Sequence, residues 1–109
     1  MEKRTWNFSK KDVINAYTTK ALQELKGQVI KVTGIALTEG LDNDTQEKRN
    51  VALFKTAEGD ILSSISGTVI KMVPQVLDYV EEDDLDEVEI KVESGVSKEG
   101  NEFIILKLV

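Results

Sequence analysis

The sequence predicts a mainly β domain with some helix: a five-stranded Greek-key barrel with an N-terminal helix and a second helix between strands three and four. Three observations carry this reading. Asn50 to Ser66, NVALFKTAEGDILSSIS, alternates with period two on both sides of a Gly-containing turn, the signature of a β-hairpin. Gln28 to Leu37, QVIKVTGIAL, is a long β-branched run broken by Gly34, as expected of a strand that bulges and bends across both halves of a barrel. Val69, Val73, Val76, Leu77 and Val80 keep helical spacing between two sets of strand patterns.

Taken in order, residues 1–8 form a polar arm carrying Trp6 and Phe8. Ser9 followed by Asp12 is an N-cap pair, and Phe8 is placed to staple onto Val13. Val13, Ile14, Tyr17, Ala21, Leu22 and Leu25 fall on one stripe, which predicts a helix from Lys10 to Leu25 stopped at Gly27. Strand one follows, then a polar loop over Thr38 to Arg49 with no apolar periodicity, then the central hairpin. Pro74 favours an irregular turn over Gly67 to Met72 and a helix that begins near Val73 and reaches Glu82. Val88 to Ser94 and Glu102 to Val109 alternate as the last two strands, joined by the turn Ser97 to Asn101. This order of elements is that of the OB-fold, and an α+β sandwich is the competing arrangement.

At 109 residues the chain is expected to be one domain, an arm and helix over residues 1–27 and a barrel over 28–109. The absence of Cys and His removes disulfides, thiolate metal sites and the commonest general base. No catalytic constellation or phosphate loop is present, so no enzyme activity and no cofactor are expected. No apolar run reaches the length of a membrane span, and the N-terminus lacks the apolar segment of a signal peptide, which places the chain in the cytoplasm. The net charge is -6, but seven of the twenty acids lie in one stretch, EEDDLDEVE, from Glu81 to Glu89. The remaining thirteen face fourteen Lys and Arg, so the rest of the chain is near neutral and a face able to meet phosphates is open to it. The acidic stretch is expected to be exposed, repelling DNA from a far face or docking a basic partner. Neither it nor Asp42, Asn43, Asp44 and Glu47 in the polar loop has the spacing of a calcium loop.

KGQVIKVTGIAL as a first strand, NVALFKTAEGDILSSIS as the second and third, and a helix before the last hairpin together resemble the small phage-encoded OB-fold single-stranded DNA-binding proteins. The resemblance covers roughly Gln28 to Val109 and implies non-catalytic, sequence-tolerant coating of single strands in replication or recombination, in the cytoplasm of a host. A replication protein is then a candidate partner. The reading from a different class is a protein-interaction or structural OB module with no nucleic acid.

Single-strand binding needs a cationic groove and ring faces for bases. The candidate cations are Lys31 on strand one, Lys48 and Arg49 entering strand two, Lys55 leaving it, and Lys98 in the last turn. The candidate rings are Trp6, Phe54 and Phe103, with barrel core as the competing place for the two phenylalanines and docking onto the barrel for Trp6. If Val51 and Leu53 face the core, Phe54 faces out. OB-folds bind on the face of strands two and three, and Lys48, Arg49 and Lys55 bracket strand two. So few cations predict weak binding per protomer, and hence cooperative or homo-oligomeric coating of the strand.

Overall fold

The computed structural model describes residues 3–16, 19–41 and 47–109, Leu41 by its backbone. The chain runs through β1 (Arg4–Trp6), α1 (Lys10–Asn15), β2 (Lys20–Ala21), a 3-10 turn (Leu22–Leu25), β3 (Val29–Leu41), β4 (Lys48–Thr56), β5 (Ile61–Ser64), α2 (Gly67–Glu82), β6 (Val88–Val96) and β7 (Glu102–Leu108). The strands make one mixed sheet in the order β2-β5-β4-β3-β6-β7. β1 joins β3 at Ile35 to Leu37, on the same edge that β6 occupies at Val29 to Val32. β2 runs parallel to β5 and the other pairs are antiparallel. β5 and β7 are not paired among the described residues, so the sheet is a curled half-barrel, consistent with an OB-like fold.

The curl is built into β3. Its register shifts between Val32 and Gly34, leaving Thr33 as the extra residue of a β-bulge, where the Gly34 interruption predicts one. The bulge re-aims the strand: Ile30 and Val32 before it, and Ile35 and Leu37 after it, all face inward. α2 lays Val69, Val73, Val76, Leu77 and Val80 onto this inner face, and Phe54, Leu62, Ile90, Val92, Ile104 and Leu106 complete the core. Leu22, 1% exposed, enters the same core from the 3-10 turn.

Several expectations are corrected. The helix expected from Lys10 to Leu25 is only Lys10–Asn15, with no buried residue; β2 and the 3-10 turn replace its second half. Extended chain covers about twice the distance per residue that helix does, and this segment must cross from the β3 edge to the β5 edge. Ser9 does cap it, with a full capping box to Asp12, while Val13 is 55% exposed and Phe8 packs on the sheet. Tyr17 lies outside the described residues.

α2 begins at Gly67, not near Val73, and keeps Pro74 within it. An interior Pro costs a helix about 3 kcal/mol. Five buried stripe residues at roughly 1.5 kcal/mol or more each outweigh that. The described ends of the expected loop over Thr38 to Arg49 are strand, because Glu39, Gly40 and Leu41 pair with Asn50, Arg49 and Lys48. Backbone pairing needs no apolar periodicity. Asp42, Asn43 and Asp44 lie outside the described residues.

Candidate nucleic-acid interface

The outer face of β3, β4 and β5 carries its own small apolar cluster of Ala36, Leu53 and Ile61. It exists because β4 is buried on both sides. Phe54 is 0% exposed in the main core, while Leu53, one residue earlier and on the opposite face, is 7% exposed. The alternation therefore predicts two frames for β4, and both faces turn out to be covered.

The cover on the outer face is the N-terminal segment. Trp6 pairs with Ile35, and Asn7 then takes a left-handed conformation, φ 50°, that turns the chain onto the sheet. The Asn7 side-chain amide donates to the Thr33 carbonyl at 2.7 Å, satisfying the bulge residue. Gly34 makes the crossing possible: a Cβ there would sit 2.5 Å from the Asn7 carbonyl oxygen and 3.0 Å from Lys55 Cε. Phe8 and Ala16 pack on the outer cluster.

Between them α1 is tied to β4 by one carboxylate oxygen. Asp12 Oδ2 accepts from the Ser9 backbone N–H at 2.9 Å, from Ser9 Oγ at 3.1 Å and from Lys55 Nζ at 2.9 Å. The side chains of Lys55 and Asp12 are only 21% and 14% exposed. The Ser9 N–H and then the Lys55 ammonium hold the Asp12 carboxyl below the usual carboxylate range, against the desolvation that raises it. Beyond α1, the hydroxyls of Thr19 and Ser63 are 3.1 Å apart, and β2 then joins β5.

The sequence-predicted site residues fall into separate groups. Lys48 and Arg49 are exposed at the start of β4, opposite Leu41 and Gly40 of β3, and Lys55 is at its other end, beside the turn into β5. Lys31 is exposed on β3 opposite Glu89 of β6 and lines a shallow cleft with Lys20, Glu58 and Asp60. Lys98 is exposed in the β6–β7 turn. Trp6 is half-buried against the main core. Phe54 is the correction: a ring with no exposed surface offers no face to a base. Phe103 is half-buried over Gly95, where an added Cβ would come within 2.6 Å of its Cζ, and of the three candidate rings it is the one that lies outside the main core.

Phe8, Asp12 and Ser63 are absent from the sequence-predicted set. The Ser9–Asp12 cap is readable locally, but the contact of Asp12 with Lys55 spans 43 positions and leaves no local signal. The acidic stretch is exposed as predicted except for half-buried Leu85 and buried Val88. Arg4 on β1 clasps it from the side, with Nη2 at 2.9 Å from Asp78 and 3.2 Å from Glu81. Among the described residues no three acidic side chains converge as metal ligands, and no helix is long and apolar enough to cross a membrane.

The sequence matches the family model described as phage single-stranded DNA-binding protein over residues 8–109. The chain belongs to this family. The match begins at Phe8 and so includes α1 as well as the half-barrel. The chain is similar to the single-stranded DNA-binding protein of Bacillus phage B103, 38% identical over 86 residues, covering 76% of this chain and 70% of the relative. It is similar also to those of Bacillus phages PZA and phi29, 32% and 31% identical over 85 residues, covering 75% of this chain and 68% of each relative. No solved structure matches the chain significantly.

Proposed function

We propose that this protein binds single-stranded DNA without sequence preference and coats it during phage replication or recombination, in the cytoplasm of the host. The observation that carries the reading is membership of the phage single-stranded DNA-binding family over residues 8–109. We infer that β3 to β7 serve as an OB-type core and that the whole chain acts as one binding unit. The interface is the outer β4–β5 side with its flanking turns. Lys48 and Arg49 at one end, Lys55 at the other and Lys98 in the β6–β7 turn are its phosphate contacts, with Lys31 secondary because Glu89 sits opposite it. Phe103 takes the stacking role that the burial of Phe54 removes, and Trp6 supports the arm. Such contacts read charge and ring faces, not base edges, which makes binding sequence-tolerant.

The test is fluorescence polarisation with labelled oligo-dT and with a duplex at two salt concentrations. The single strand should bind in preference, with a log-log salt slope of about -0.7 per phosphate contact, so roughly -2 to -3 for three or four cations. A protomer with so few contacts binds weakly alone, and cooperative filling of longer strands should raise the apparent affinity. Failure of oligo-dT to bind at low salt and high protein concentration would return the fold to the class of interaction modules.

A further inference from the structure

The face on which an OB-type core would bind a single strand is not open. Residues 7–16 lie across it, and what they place there imitates a nucleotide: the Phe8 ring packs on the apolar cluster of Ala36, Leu53 and Ile61, and a carboxylate four residues on sits on the Lys55 ammonium. The attachment is light. α1 has six residues, none of them buried, and Val13 and Ile14 are 55% and 67% exposed. A helix this short has no independent stability, so its persistence rests on contacts outside it, among them the Asn7–Thr33 hydrogen bond, Phe8, Ala16, the Ser9–Asp12 cap and the ion pair. Segments held by so few buried contacts open at the low end of a protein's stability range.

We propose that residues 7–16 are a displaceable cover on the DNA-contact face, and that a phosphate of the incoming strand takes Lys55 from Asp12 while a base takes the place of Phe8 on Leu53 and Ile61. The inference rests on the single-strand reading above and adds Leu53 and Ile61 to Lys55 as a ligand surface that is covered in the free protein. The β1 pairing with β3 and the β2 pairing with β5 fix both ends, so the cover lifts between them and stays attached. Its closure lowers the apparent affinity by the fraction of time the face is covered. A single strand therefore meets a protein that resists weak or transient contact.

The test compares oligo-dT affinity and amide hydrogen exchange in the intact chain and in three variants. Asp12→Asn removes the charge that holds Lys55 and should tighten oligo-dT binding about three- to fivefold, the upper part of the range expected of one lost, partly exposed ion pair. Ser9→Ala weakens the cap with no change of charge and should tighten binding in the same direction by less. Asp83→Asn removes an equal charge at the end of α2 and should leave affinity within about twofold, separating latch release from the general field. In the intact chain, saturating oligo-dT should speed exchange at residues 8–16 and slow it on β4 and β5. The proposal is overturned if residues 8–16 gain protection with DNA and Asp12→Asn weakens binding, because the segment is then part of the bound interface. It is overturned too if Asp12→Asn and Asp83→Asn act alike. Absence of oligo-dT binding in the intact chain and all variants rejects the single-strand reading itself, and the cover with it.

Discussion

The two sides of β4 hold neighbouring residues in opposite circumstances. Phe54 points into a core closed by a sixteen-residue helix and by β6 and β7. Leu53 points out, into a small cluster covered by Phe8 and Ala16, which flank a six-residue helix with no buried residue. Both are nearly inaccessible, yet one is enclosed by the fold and the other only covered. Burial alone therefore does not separate an enclosed residue from a covered one. What separates them is how much must move to reach them.

The largest expected effect tests the inner side. Phe54→Ala should cost about 3–5 kcal/mol in urea unfolding, because the surrounding core relaxes only partly around the cavity. Leu53→Ala should cost about 2 kcal/mol, the low end for a buried Leu, since Phe8 can settle into the space. Equal losses would erase the distinction between the two faces.

Gly34→Ala comes next, at about 1–3 kcal/mol. Its Cβ would collide with the Asn7 carbonyl, which is backbone and cannot swing aside, so residues 7–16 must shift; faster amide exchange confined to that segment is the readout. Gly95→Ala should be milder, because there the obstructing atoms belong to the Phe103 side chain.

Acid titration gives a smaller effect with a definite sign. The folded Asp12 carboxyl titrates below its unfolded value, so its contribution to holding residues 7–16 is present above the unfolded pKa, near 4, and is lost as pH falls through the folded value. Exchange at those residues should rise below about pH 4, and Asp12→Asn should abolish the rise; a rise that survives the substitution would assign it to other carboxylates. The smallest effect is that of Lys48→Ala, within about 0.5 kcal/mol of the parent in stability, with the salt slope reduced by about 0.7. Unchanged slope would remove Lys48 from the phosphate contacts.

Much of the fold is written locally. The hairpin across Gly59, the bulge at Gly34, the cap at Ser9 and the stripe of α2 are each set by residues within a few positions of one another. The outer layer is not. Val13 and Ile14 have the spacing of a core-facing stripe, but the rest of their segment is drawn out to span the sheet, so they face solvent instead. Phe54 and Leu53 could not be ranked from alternation, because a strand covered on both faces satisfies either frame. The candidate cations that bracket strand two, Lys48, Arg49 and Lys55, were legible in the sequence; the covering of Leu53 and Lys55 was not, because Phe8 and Asp12 come from a distant part of the chain.

Trp6 gives this architecture an optical consequence. It is the only tryptophan, half-buried against the core and paired to Ile35 at the root of the N-terminal segment. Its indole emission therefore reports, without any label, whether β1 stays seated. A blue-shifted spectrum that survives saturation with oligo-dT would mean that only the span beyond Asn7 leaves the sheet. A red shift to the wavelength of a hydrated indole would mean that the whole segment peels away from its first residue inward.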